Sequence, residues 1–76
     1  MALPSSDDII KALVKDGFRP RGKSRPGSHQ VFRNELPEGA KTVVVPLGRK
    51  EIPSGTLGSI LRQAGLTRGE LNTLMK

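Results

Sequence analysis

The apolar residues of this chain change their spacing twice, and that change decides what it can fold into. Ile9, Ile10, Leu13 and Val14 recur at the interval of one helix face. Between Phe18 and Val45 the pattern becomes short β-branched and aromatic runs broken by proline and glycine, as in strands joined by turns. The helical interval then returns in Leu57, Ile60, Leu61 and Ala64. A chain of 76 residues with this order has room for one domain, residues 1–76, around one modest core.

Local signals bound each element. Ser5-Ser6-Asp7-Asp8 opens the first helix: Ser5 caps it, Asp8 stands in the capping-box position, and the acids suit the positive end of the helix dipole. Gly17 supplies a left-handed exit and Phe18 folds back onto the apolar stripe, so the helix spans about residues 6–16. Residues 18–23 read as an edge strand, irregular at Pro20 and Gly22, and residues 24–27 as a turn. Residues 29–33 form a second strand, and the β-branched run at residues 42–45 a third and most buried one. Short connections make the three an antiparallel meander.

A charged loop at residues 47–53 leads to a helix opened by Ser54-Gly55-Thr56 and closed by Gly65, with Leu66 packing back. Thr67 and Glu70 form a second capping box, for a short last helix carrying Leu71, Leu74 and Met75. The expected fold is α+β, in the order α-β-β-β-α plus a C-terminal helix. Helices cover one face of a three-stranded antiparallel sheet and leave the other open.

Thirteen Lys plus Arg against seven Asp plus Glu leave a net charge of +6, which calls for an anionic partner. No cysteine and one histidine exclude disulfides, thiolate zinc and imidazole-rich metal sites, and the acids do not cluster, so neither metal nor cofactor is expected. The longest strongly apolar stretch, residues 43–45, is far short of the roughly 20 residues of a spanning helix. Met1-Ala2-Leu3-Pro4 runs into acids rather than an apolar segment, so no signal peptide and a cytoplasmic location are expected.

Strand parity locates the chemistry. If Phe32 faces the helices, His29, Val31 and Arg33 face the open side. With Arg19, Arg21, Lys23 and Arg25 on that side, the only histidine stands in a cationic surface, and no acid occurs between positions 17 and 34. Such a surface suits cleavage of RNA. Cations hold the backbone and stabilise charge on the phosphorane oxygens, while an imidazole moves a proton at the 2′-hydroxyl or the 5′-oxygen. RNA brings its own nucleophile. The second proton-transfer role falls to a lysine, an arginine, a hydroxyl or water, and the residues do not choose among them. Ser28 and Gln30, beside His29, complete the expected substrate-binding set with Arg19, Arg21, Lys23, Arg25 and Arg33. With no Tyr, no Trp and two Phe, recognition leans on backbone charge and shape.

One long pattern is also familiar. Gly17-Phe18, a basic strand, Gly27-Ser28-His29-Gln30-Val31-Phe32 and a valine strand ending at Pro46 lead to Gly55-Thr56-Leu57-Gly58-Ser59-Ile60-Leu61-Arg62-Gln63-Ala64-Gly65-Leu66. This resembles the HicA family of mRNA interferase toxins, from about Ile9 to Leu71. The resemblance implies a double-stranded-RNA-binding-domain-like fold and a metal-independent ribonuclease that cuts mRNA and stops translation. It implies neutralisation by a HicB-type antitoxin, and it assigns catalysis to the histidine of the Gly-Ser-His motif, here His29. Many relatives carry a second histidine shortly after the proline; here Leu47-Gly48-Arg49-Lys50 follows Pro46, so this chain has either lost that group or replaced its positive charge with Arg49 or Lys50. The antitoxin is expected to be acidic and to cover His29. The rival readings are a non-catalytic double-stranded-RNA-binding module and a ribosome-associated adaptor, for both of which His29 is dispensable.

Overall fold

A computed structural model of the chain describes residues 3–22 and 29–76; the expected turn at residues 24–27, with Lys23 and Ser28, lies outside them. In chain order come helix α1 (Ser6–Lys15), strands β1 (Arg19–Arg21), β2 (His29–Asn34) and β3 (Lys41–Pro46), and helices α2 (Ser54–Ala64) and α3 (Arg68–Met75). The strands form an antiparallel meander with β2 in the middle. The α+β order read from the apolar spacing is the one observed.

The helix ends form as their residues dictate. Ser5 Oγ accepts from the Asp8 amide at 3.1 Å, and the Asp8 carboxylate accepts from the Ser5 amide at 3.1 Å. Thr67 and Glu70 repeat the exchange at α3, at 3.1 and 2.9 Å. In both boxes the backbone N–H, and then the side-chain bond, hold the carboxyl below its ordinary value. Helix α2 starts differently, with Pro53 at the cap and no side-chain acceptor. Its far end is a glycine cap: Gly65 has φ +70°, and the Leu66 amide reaches the Leu61 carbonyl at 3.0 Å.

The exit of α1 does more than stop a helix. Gly17 adopts φ +108°, and the Phe18 amide bonds the Leu13 carbonyl at 2.9 Å, delivering a fully buried Phe18. Asn34 closes the same corner, its Nδ2 donating to the Asp16 carbonyl at 3.2 Å. Any Cβ on Gly17 would sit 3.1 Å from the Asn34 Oδ1. Around this corner one core gathers Ile9, Ala12 and Leu13 of α1, Phe32 of β2, Val43 and Val45 of β3, Leu57, Ile60 and Ala64 of α2, and Leu71 of α3. Among the described residues no helix packs on the opposite face of the sheet.

Three expectations change. The first strand is shorter than residues 18–23, because Phe18 belongs to the helix exit and Gly22, at φ +75°, turns the chain away. The valine run is not the most buried strand. It is an edge, and Val44 lies 40% exposed on the open face, since only one side of the sheet has helices to pack against. That edge is nevertheless closed to a further strand: the Val44 amide donates to Gln63 Oε1 at 3.0 Å, and Pro46 has no N–H to offer. The loop at residues 47–53 is also more than a charged connection. Ile52 is fully buried and its amide donates to the Pro4 carbonyl at 2.8 Å.

Ser6 fastens the front of that loop. Its Oγ donates to the Pro46 carbonyl at 2.6 Å and accepts from the Arg49 amide at 3.0 Å, while its own amide donates to the Arg49 carbonyl at 2.9 Å. The residue is 2% exposed, so a backbone group left there without its partner would cost about 1–3 kcal/mol. Among the described residues no helix is long and apolar enough to cross a membrane.

Two outcomes follow from the helix ends. Gly17→Ala should lose about 1–3 kcal/mol from backbone strain alone, with the crowding against Asn34 added to it. Urea unfolding reads this, and an unchanged midpoint contradicts it. For the capping boxes the pH dependence has a definite sign. Carboxyls held low in the folded chain add stability above the unfolded carboxyl range, and that stability disappears as pH falls through the lowered folded values. The deficit of Glu70→Ala relative to the parent chain should therefore be full at neutral pH and shrink in acid; a deficit independent of pH would contradict it.

Candidate nucleic-acid interface

The site begins with the alternation of β2. Gln30, Phe32 and Asn34 are buried toward the helices, whereas His29 is exposed and Val31 and Arg33 are half-buried on the other side. Pairing then assigns the open face row by row. Arg19 lies opposite Arg33 and Thr42 beyond it; Arg21 lies opposite Val31 and Val44 beyond it; His29 lies opposite Pro46. Because the Val44 amide points outward to Gln63, the Val31–Val44 row is of the wide, non-hydrogen-bonded kind. The His29–Pro46 row has the same parity, with Cα atoms about 4.5 Å apart. Arg21 is the diagonal neighbour of His29, at roughly 7–8 Å between Cα atoms.

The arginines of this face are not equivalent. Arg21 is exposed and makes no side-chain hydrogen bond or ion pair among the described residues. Arg19 turns back at the sheet edge, its Nη1 donating to the carbonyls of Phe18 at 2.7 Å and Val14 at 3.1 Å, where it offsets the negative end of α1. Arg33 pairs with Glu35 at 2.7 Å, with side chains 40% and 69% exposed. A pair this exposed is worth about 0–1 kcal/mol, so a phosphate can replace the carboxylate at small loss. Together the three arginines line a cleft of about 260 Å³ at the β1 edge of the sheet, which also takes in Gly17, Pro20, Asn34 and Glu35.

His29 is outside that cleft. It stands four residues from Arg33 along β2, about 13 Å at the rise of a strand. Among the described residues the arrangement is a strip: His29 at one end, the arginine cleft at the other, and Arg21 belonging to the cleft and neighbouring the histidine. Lys23, Arg25 and Ser28, the remaining expected members, lie outside the described residues. Gln30 does not reach the open face. Its Nε2 donates to the carbonyls of Arg21 at 3.1 Å, Gly22 at 3.3 Å and Val31 at 3.0 Å, which ties the end of β1 to β2.

Sequence reasoning missed the part played by Ser6, which sets the turn leaving Pro46, the residue opposite His29. A serine after a capping serine carries no local mark of a bond to a residue 40 positions away. The turn brings Arg49 and Lys50, both exposed, to the histidine end of the sheet. Chemically, this strip offers a solvent-facing imidazole for proton transfer and guanidinium groups suited to phosphate oxygens.

No curated protein matches the chain. A family model described as "HicA toxin of bacterial toxin-antitoxin" matches residues 6–66. The match opens on the first residue of α1 and closes just past the glycine cap of α2, so it takes in the whole sheet and His29 and leaves α3 outside. Spanning most of the chain and the entire open face, it shows that the protein belongs to the HicA family of toxins from bacterial toxin–antitoxin systems.

Proposed function

We propose that this HicA-family toxin is an endoribonuclease that cleaves mRNA and so arrests translation, with His29 as its general acid/base. The observation that carries this reading is the exposed His29 at the end of a sheet face that no described helix covers, with Arg21, unpartnered among the described residues, as its diagonal neighbour. In the reaction the 2′-hydroxyl oxygen bonds to the adjacent phosphorus as the bond to the 5′-oxygen breaks. One proton leaves the 2′-hydroxyl and one reaches the 5′-oxygen, and the products are a 2′,3′-cyclic phosphate and a free 5′-hydroxyl. An imidazole in reach of either oxygen carries one of those transfers. The nucleophile belongs to the substrate, so the step requires no metal-bound water.

Arg21, Arg19 and Arg33, with Lys23, Arg25 and Ser28, hold the backbone along the strip, and guanidinium charge stabilises the phosphorane oxygens. Gln30 contributes by keeping β1 and its arginines in place. Both phenylalanines are buried in the core, so no aromatic platform stacks the bases, and binding follows charge and shape. As the toxin of a pair, the chain has an antitoxin partner. In this reading the partner is an acidic HicB-type protein that covers His29, and the protein acts in the cytoplasm, where its mRNA substrate is.

His29→Ala separates the enzyme from a binding module on the same fold. Cleavage of an RNA transcript should fall by about 10²–10⁴-fold, with affinity for an uncleavable RNA unchanged and growth arrest lost on expression. Cleavage at the parent rate by the alanine variant would overturn the proposal.

A further inference from the structure

We propose that Arg49 is a second phosphate ligand at the histidine end of the sheet, and that Ser6 is the positioning residue that holds its backbone there. The inference deepens the RNA-cleavage reading and rests on it for the identity of the ligand. The geometry behind it is independent of that reading.

A single buried hydroxyl spans the turn that leaves β3. Ser6 Oγ donates to the carbonyl at its first residue, Pro46, and accepts from the amide of its fourth, Arg49, at 2.6 and 3.0 Å. The Ser6 amide takes the Arg49 carbonyl as well, at 2.9 Å, so both backbone polar groups of Arg49 are fixed to one residue. Gly48, at φ +71°, supplies the reversal that brings Arg49 back to Ser6. The start of this turn is the cross-strand neighbour of His29. Its anchor belongs to a helix whose Ile9, Ala12 and Leu13 are fully buried. The backbone of Arg49 is therefore held to a helix anchored in the core.

The side chains on this strip divide by what they already touch. Arg19 already bonds the Val14 and Phe18 carbonyls and Arg33 pairs with Glu35, whereas Arg49 is exposed and its guanidinium has no partner among the described residues. A fixed backbone removes one source of freedom from the binding cost, and the planar fork of the guanidinium matches two phosphate oxygens. Lys50, next along the turn, has no such backbone fastening among the described residues. Arg49 is the residue the fold holds in place; Lys50 is not.

The test is the salt dependence of affinity for a short single-stranded RNA, 2′-O-methylated so that it cannot be cut, measured with the full chain. Arg49→Ala should weaken binding and reduce the slope of log affinity against log salt by about 0.7–1, the loss of one phosphate contact. Ser6→Ala, assayed well below its own melting temperature, should lower the slope by the same amount, the Ser6→Ala/Arg49→Ala double variant no further, and Ser6→Thr should restore it. An unchanged slope in Arg49→Ala overturns the ligand assignment. A Ser6→Ala chain that melts earlier yet keeps the parent slope overturns the positioning role. Because the RNA is uncleavable, either failure is distinct from failure of the catalytic reading, which His29→Ala tests on cleavable RNA.

Discussion

The register of β2 is the constraint on which the rest depends. Three consecutive helix-facing positions of this strand have three different duties: Gln30 ties down the end of β1, Phe32 enters the core, and Asn34 closes the exit of α1. A slip of one residue would remove all three at once and turn His29 inward, an outcome that side-chain alternation makes all-or-none. The exposure of the histidine is thus enforced from the opposite side of the sheet, by residues that never contact a substrate.

The same economy governs the charges. The chain carries six more positive than negative groups, yet the open face does not present them evenly. The negative end of α1 and Glu35 engage Arg19 and Arg33, while Arg21, on the cleft nearest His29, has no side-chain partner among the described residues. At the other end the turn after Pro46 carries Arg49, its backbone held by Ser6. A polyanion laid along β2 would meet held charge at both ends. In the proposed reading, such a strip grips a nucleic-acid backbone on either side of the phosphate that reacts.

Much of this was legible in the residues because the deciding relations are local. Both capping boxes, the glycine exits of α1 and α2 and the parity of His29 depend on partners within four or five positions or on strict alternation. The rest depended on contacts between distant segments. Nothing in the valine run shows that Val44 faces solvent, since β-branched residues suit a strand on either face. Gln30 beside His29 reads as a substrate group until its amide is seen bonded to Arg21 and Gly22. Arg19 shares a spacing with Arg21, but only the fold shows that one is committed to a helix end and the other is not. Ser6 had no local mark at all.

The most direct measurement is a nuclear magnetic resonance titration of the full chain with an uncleavable RNA, following every backbone amide and the His29 ring. The account predicts that perturbations concentrate on the His29 ring, on Arg21 and Val31, and on Val44 with the turn beyond Pro46. Residues of α1 and α3 that face away from the open sheet should remain still. Perturbations centred on those helices, with the His29 ring unmoved at saturating RNA, would contradict it.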